Sequence, residues 1–202
     1  MNISKRTRLA LLVCFISLLS TVNAHSRAHI HIYESATEQT DAEKLSRAVD
    51  YFQSGKFHEA LIWFSKLDSK YKLNPRFQAY MGVCCYYDGE YERAVATLEP
   101  ILTKLNVFAP HELAVYYYCV AESYFRLKKY IDAVPLFEKH ILLCYNNEKG
   151  DSLLRIGMCY KHMRDIENAQ EYFIEALAYY RRYNNHDKLN YIERELKRLA
   201  DN

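Results

Sequence analysis

The residues of this sequence that could do chemistry are its histidines, cysteines and carboxylates, and their spacing decides what that chemistry would be. His111 and Glu112 begin like the metal-binding helix of zinc proteases, but Val115 stands where the second histidine ligand would be. Neutral imidazole binds zinc or copper, and three histidines lie in the N-terminal segment: His25, His29 and His31. A free tail rarely preorganises such a site, so we interpret the segment as a polar tether and predict no metal site.

Catalytic motifs are absent from the rest of the sequence. It contains neither a glycine-rich nucleotide-binding loop nor a Gly-x-Ser-x-Gly nucleophile motif. Carboxylates are plentiful, yet they fall on helix faces where a solvated surface is their ordinary role, so no catalytic pair can be singled out. We therefore predict that the protein is not an enzyme, has no catalytic residues and uses no cofactor.

The N-terminus has the three-part pattern of a secretory signal peptide. Met1 to Arg8 carries three positive charges, an apolar run extends from Leu9 to Ser20, and Val22-Asn23-Ala24 is a small-x-small cleavage site. We predict a signal peptide over residues 1–24, a flexible segment over residues 25–40 and an exported protein, periplasmic or associated with the cell envelope. A eukaryotic secretory origin stays open. No other stretch is long and apolar enough to span a membrane.

Composition favours a helical protein that does not bind nucleic acid. Half of the 202 residues are hydrophobic, while only 5 are glycine and 4 are proline, too few for the tight turns of a β-sandwich or barrel. The formal charge of +2 includes Lys5, Arg6 and Arg8 of the leader, so the mature chain is nearly neutral. A protein that binds nucleic acid needs a basic face, which this balance does not supply.

Five cysteines follow the leader: Cys84, Cys85, Cys119, Cys144 and Cys159. The number is odd, and their spacing matches no small disulfide-bonded scaffold. Free cysteine behaves as a small buried hydrophobe. We predict buried cysteines on helices, with a disulfide as the alternative.

An internal repeat organises the region after the leader. Four alanines, Ala60, Ala94, Ala133 and Ala169, follow one another at 34, 39 and 36 residues. A large apolar residue stands three positions before each: Phe57, Tyr91, Tyr130 and Ile166. A small residue stands twelve before: Ala48, Gly82, Ala121 and Gly157. Glycine or a basic residue stands five before: Gly55, Gly89, Lys128 and Arg164. This register predicts four helical hairpins, each with a short turn and a close approach of its two helices.

The register resembles the tetratricopeptide repeat (TPR) family, in which a small residue, a tyrosine and an Ala-x3-Phe segment recur at about 34 residues. His140 stands where that pattern has a small or apolar residue. The resemblance implies an all-α, right-handed α-α superhelical solenoid of about four hairpins over residues 41–186. The amphipathic segment 187–202 would cap it through Leu189, Ile192, Leu196 and Leu199.

Local signals add detail to the predicted array. Residues 40–43 read Thr-Asp-Ala-Glu, a capping box that should begin the first helix. Pro100 predicts a kink in the second helix of the second hairpin. Gly150 is expected to mark the turn into the fourth hairpin.

In TPR solenoids the first helix of each hairpin lines a concave groove, and here that helix is rich in tyrosine and arginine, which dominate binding energy at interfaces. The candidate partner-binding residues are Tyr80, Tyr87, Tyr118, Glu122, Arg126, Arg155 and Lys161. The tyrosines have an alternative role in packing between hairpins. The groove positions Leu45 and Val49 of the first hairpin are apolar, which excludes the Lys/Asn clamp for chaperone tails.

These patterns predict a non-enzymatic scaffold that acts outside the cytoplasm and binds a protein or peptide in its concave groove. The alternative is a structural or assembly subunit of a cell-envelope complex that uses the convex face or the C-terminal helix. Fold alone does not separate the two functions.

Overall fold

The computed structural model describes residues 39–183 and 186–201, and these are helical with no strand. The predicted signal peptide and most of the predicted flexible segment therefore lie outside the described residues. Within the described ranges there are nine α-helices and one 3-10 helix. The α-helices are α1 (Asp41–Gln53), α2 (Phe57–Tyr71), α3 (Pro75–Tyr87), α4 (Tyr91–Leu98), α5 (Pro110–Arg126), α6 (Tyr130–Leu143), α7 (Lys149–His162), α8 (Ile166–Arg182) and α9 (His186–Ala200). The 3-10 helix (Glu99–Leu105) directly follows α4.

The helices pair in chain order, as the repeat predicts. The most extensive contacts join α5 to α6 and α7 to α8, the two helices of the third and fourth hairpins, and α3 packs on α4 in the second. In the first hairpin, Ala48 of α1 is buried with Ala60 and Phe64 of α2. Residues 44–202 form one compact unit in which α9 packs on α8.

A close approach holds the two helices of a hairpin together. If residue 82 of α3 were not glycine, its Cβ atom would lie only 2.4 Å from Cγ of Leu98 in α4. At Gly157 of α7 the same atom would lie 2.8 Å from the ring of Phe173 in α8. Leu98 and Phe173 are completely buried. The small residues of the repeat are therefore required by the volume of their partners.

The turns inside the hairpins share one backbone conformation. Gly55 and Gly89 have φ values of +73° and +80°, and Lys128 and Arg164 take the same left-handed region at 61° and 63°. Glycine enters this region without steric cost, whereas a residue with a Cβ does not. The predicted turn position is confirmed in all four hairpins, although only two of them have the residue best suited to it.

Two predictions about local structure are wrong. No α-helix is kinked at Pro100, because α4 ends at Leu98 and the chain continues as a 3-10 helix with Ile101, Leu102 and Leu105 buried. Gly150 does not form a turn, because it is the second residue of α7. A Cβ at this position would lie 3.2 Å from the ring of Tyr180, so Gly150 permits a close approach of α8.

Both ends of the array follow the sequence. The backbone N–H of Thr40 donates to Oε2 of Glu43 (2.8 Å), and the N–H of Glu43 donates to Oγ1 of Thr40 (3.3 Å), which confirms the capping box. At the other end, Ile192 and Leu199 of α9 are buried in one apolar cluster with Phe173 of α8.

All five cysteines after the leader are buried and free of disulfides.

The left-handed turn of the third hairpin gives a test of this fold. Lys128→Gly should raise the free energy of unfolding by about 0.5–1 kcal/mol. The change removes about 1–2 kcal/mol of left-handed strain and adds a smaller entropy cost in the unfolded chain. Urea unfolding followed by circular dichroism measures the difference. Lys129→Gly is the matched control, since Lys129 has a φ of −88° and no such strain to lose. If both variants are destabilised alike, the turn conformation is not the one described.

Candidate functional site

The first helices of neighbouring hairpins lie side by side. The backbone of α3 approaches that of α5, and α5 approaches α7. Second helices of neighbouring hairpins are instead linked by long side chains, as where the hydroxyl of Tyr172 in α8 donates to Glu138 of α6 (3.2 Å). The closer spacing of the first helices identifies their side as the inner, groove side of the array.

Glu122 of α5 is the centre of the groove side. Its side chain is only 1% exposed, yet it lies beside two arginines. Nε of Arg126, one turn along α5, donates to Oε1 (2.9 Å). From the neighbouring α7, a terminal nitrogen of Arg155 also donates to Oε1 (2.9 Å), and its Nε lies 2.7 Å from Oε2. A buried carboxylate is costly unless paired, so Glu122 depends on both arginines.

A second buried carboxylate repeats this arrangement one hairpin further. Glu195 of α9 is 3% exposed, pairs with Lys161 of α7, and accepts a hydrogen bond from Arg198 (2.9 Å). The six residues of the two clusters run across the first helices of the last two hairpins and α9. We call them the groove ladder: Glu122, Arg126, Arg155, Lys161, Glu195 and Arg198.

The groove ladder carries an excess of positive charge. Each of its two carboxylates is paired with two cations, so four cations face two anions. The anions are buried, whereas the Arg126 side chain is half exposed. A row of this kind attracts carboxylates of a partner more strongly than it attracts cations.

Asp151 of α7 is a third carboxylate near the ladder, and its charge is balanced. It accepts hydrogen bonds from the hydroxyl of Tyr180 and from the ammonium group of Lys188. Burial raises the pKa of Asp151, but these hydrogen bonds outweigh it and leave the pKa below the usual value. This pair joins α7 to α9 without adding net charge.

Arg155 has a structural role beyond its ion pair. Its guanidinium lies over the ring of Phe125, 4.7 Å from the centroid, and one terminal nitrogen donates to the sulfur of Met158 (3.6 Å). Arg126 has no such additional contacts among the described residues. Of the two arginines, Arg126 is therefore the one whose terminal nitrogens can bind a ligand.

Tyr118 lies next to the ladder but is largely packed. Its ring makes an edge contact with Phe137 (centroids 5.9 Å apart) and lies 5.1 Å from the ring of His140. Burial, followed by the charge of Glu122, raises the pKa of its hydroxyl to about 12. Tyr118 thus joins the third hairpin internally, and any contact with a partner uses the exposed part of the ring.

The other two predicted tyrosines lie apart from the ladder. Tyr80 stacks on Phe52 of the first hairpin with centroids 4.4 Å apart, and Tyr87 stacks on Phe57 at 4.1 Å. Tyr87 is still 57% exposed, although partial burial raises the pKa of its hydroxyl. The structure therefore brings Tyr118, Glu122, Arg126 and Arg155 together, links Lys161 to α9, and leaves Tyr80 and Tyr87 beside the first hairpin.

Sequence reasoning missed the contribution of α9 to this surface. Its apolar stripe identified α9 as a cap, but Glu195, three residues after Ile192 and four before Leu199, lies at the edge of that stripe. The spacing of Glu195 and Arg198 at three residues was the available signal, since such pairs are neighbours on a helix. Burial of Glu195 against α7 could not be read from that spacing.

A separate polar cluster lies between the third and fourth hairpins. His140 of α6 is buried, and its Nδ1 makes a hydrogen bond with the hydroxyl of Ser152 in α7 (2.8 Å). Burial lowers the pKa of His140, although the charges of Glu148 and Asp151 oppose this effect. The sequence signal was the departure of His140 from the apolar repeat pattern.

No helix in the described ranges is long and apolar enough to cross a membrane.

Comparison with known proteins identifies the repeat. The sequence pattern of the tetratricopeptide repeat matches residues 150–183, which span the fourth hairpin. No curated protein matches the sequence. The match confirms the tetratricopeptide-repeat character of this hairpin.

Solved structures resemble the array as a whole. A structure of MamA (AMB-1) has a TM-score of 0.59 at 15% identity, covering 80% of this chain and 92% of that one. Apo RapI has a TM-score of 0.63 at 15% identity, and the match covers 80% of this chain and 63% of RapI. The TPR-like repeats of a putative kinesin light chain from Podosopora anserina give 0.56 at 16% identity, with 79% and 85% covered. These matches confirm the predicted TPR solenoid fold.

The buried position of Glu122 gives a prediction for stability. Glu122→Gln should lower the free energy of unfolding by about 1–3 kcal/mol, because two arginines lose their shared counter-charge at a buried site. Glu90→Gln is the matched control, since Glu90 forms an exposed pair with Arg93 (2.9 Å) and should change stability by less than about 0.5 kcal/mol. Urea unfolding of both variants measures the difference. Equal effects would show that Glu122 does not hold the ladder together.

Proposed function

We propose that this tetratricopeptide-repeat chain is a non-enzymatic scaffold that acts outside the cytoplasm and binds an extended, acidic segment of a partner protein along its groove ladder. The observation that carries the proposal is the excess of cations over buried carboxylates on adjoining helices. The fold supports a protein partner. The positive excess of the ladder indicates that the bound segment of that partner is acidic.

The acidic character of the partner is inferred from which nitrogen atoms of the ladder arginines are already engaged inside the protein. Arg155 is largely engaged by Glu122, Phe125 and Met158. Within residues 39–183 and 186–201, the hydrogen bond of Arg126 uses only its Nε, and its side chain is 50% exposed. A planar guanidinium with free terminal nitrogens binds carboxylates or backbone oxygens in a forked geometry. Arg126 is therefore the proposed anchor.

A catalytic role of the ladder is disfavoured by the same contacts. A general base needs a lone pair that is free to accept a proton, and a general acid needs a proton to give. Both oxygens of Glu122 face arginines, and Glu195 lies between Lys161 and Arg198. Both carboxylates are suited to fixing cations in position.

Export is part of the proposal and is supported by the pattern of residues 1–24. The segment has a basic start, an apolar run of signal-peptide length and a small-x-small site. Fractionation of cells that make the protein tests this part, with the mature chain expected outside the cytoplasm. Retention of the full-length chain in the cytoplasm would contradict it.

A second candidate function is favoured by exposed apolar side chains on the second helices. Ile131 and Leu142 of α6 are each 75% exposed, and Ile174 of α8 is also exposed. Exposed apolar residues of this kind occur at protein interfaces. They support the alternative of an assembly subunit that docks through the outer face.

Binding of charged peptides distinguishes the two functions. We expect the mature chain to bind an extended peptide that alternates glutamate with leucine. Binding to peptides with lysine or glutamine in place of glutamate should be weaker. Arg126→Gln should weaken binding of the acidic peptide by about 1–3 kcal/mol, the range for interface hot spots. Fluorescence anisotropy at several salt concentrations measures the affinity, and the acidic peptide should lose affinity as salt rises.

Matched variants complete this test. Arg181→Gln is the control for charge, because Arg181 is an exposed arginine of α8 paired with Glu193 (2.7 Å). Tyr118→Phe retains the packed ring and removes only the hydroxyl, whereas Tyr118→Ala tests the ring and must be checked for folding. The groove proposal is wrong if Arg126→Gln binds normally while Leu142→Ser abolishes capture of a natural partner.

A further inference from the structure

The junction between the third and fourth hairpins holds three different metal-binding side chains. His140 lies near the end of α6, Cys144 directly follows that helix, and Glu148 directly precedes α7. One ligand atom from each lies within 4.8 Å of the other two. His140 and Cys144 are buried, and Glu148 is exposed, so the cluster is reached from solvent on one side.

We propose that His140, Cys144 and Glu148 form a Zn²⁺ site with one coordination position left for water or a further ligand. Imidazole, thiolate and carboxylate are the ligand types that zinc accepts in tetrahedral sites. Mg²⁺ and Ca²⁺ are disfavoured, because they require oxygen ligands throughout. On binding, the Cys144 thiol releases its proton to solvent as the zinc–sulfur bond forms.

His140 and Glu148 are each held in place by a neighbour. The hydroxyl of Ser152 lies 2.8 Å from Nδ1 of His140, and this hydrogen bond orients the ring. Oε2 of Glu148 accepts a hydrogen bond from the backbone N–H of Tyr145 (3.1 Å). Cys144 makes only a long contact with the carbonyl of Ile141 (3.9 Å), so its sulfur has no strong competing partner.

The spacing requires a small closure. Zinc bonds of about 2.0–2.3 Å in a tetrahedron place ligand atoms about 3.3–3.6 Å apart. Atoms separated by up to 4.8 Å must therefore approach by at most about 1.5 Å. Glu148 can supply this movement, because it precedes α7 and its side chain is exposed.

A bound metal would fix the angle between two hairpins. His140 belongs to the third hairpin, and Glu148 adjoins the first helix of the fourth. The same two hairpins supply Glu122 and Arg155 to the groove ladder. The metal would thus stiffen the part of the array on which the ladder is built, and its binding is independent of whether a peptide occupies the groove.

Titration of the metal-free mature chain with Co²⁺, in a reductant that does not bind metals, tests this proposal. We expect one equivalent to produce a thiolate-to-cobalt charge-transfer absorption that Zn²⁺ displaces. Cys144→Ser should abolish the band. Ser152→Ala should weaken Zn²⁺ binding by about 10- to 100-fold, as is usual when a hydrogen bond to a ligand is removed. Cys159→Ser is the control, because Cys159 is a buried free cysteine outside the cluster, and it should retain the band.

Folding of every variant is checked by the circular dichroism of the metal-free protein. Glu148→Gln provides a second variant at an exposed position and should also weaken Zn²⁺ binding by at least about tenfold. The proposal is overturned if the folded wild-type chain gives no charge-transfer band. It is equally overturned if the band persists in Cys144→Ser, or if Cys159→Ser removes it while Cys144→Ser does not.

Discussion

The close approach between the two helices of each hairpin is the constraint on which the array depends. Gly82 faces Leu98 and Gly157 faces Phe173 at distances that leave no room for a Cβ atom. Because the large partners are completely buried, they cannot move aside without opening a cavity. A single hairpin exposes one apolar face, and only a neighbouring hairpin covers it. The spacing inside each hairpin therefore sets how the next hairpin stacks.

Regular stacking explains why charged groups meet on the groove side. Once the first helices lie next to each other, a carboxylate on one helix reaches cations on the next. Glu122 and Glu195 are each enclosed in this way, and neither could be buried without its cations. The cations in turn are held at fixed positions with part of their surface exposed. The same ion pairs thus stabilise the stack and give the groove side its positive excess.

The repeat register made most of the fold predictable, because small residues, turn residues and alanines each have a steric reason for their position. Lys128 shows the strength of that register, since it takes the left-handed conformation although its residue type does not favour it. The 3-10 helix after Leu98 was not predictable, because proline disfavours an α-helix without specifying what replaces it.

The candidate site was predicted in part. Arg126 and Glu122 belong to one helix, whereas the pairing of Glu195 with Lys161 depends on how α9 packs on the array, which no local pattern encodes.

The central claim is that an acidic partner segment lies along the groove ladder, and site-specific photo-cross-linking in cells tests it most directly. A photoreactive residue at Met158, next to Arg155, samples the groove without removing a ladder charge. The same residue at Leu142, which is 75% exposed on α6, samples a second helix. The account predicts that position 158 captures a protein through a segment rich in aspartate or glutamate and that position 142 does not. Capture from position 142 alone, or capture of a basic segment at position 158, would contradict it.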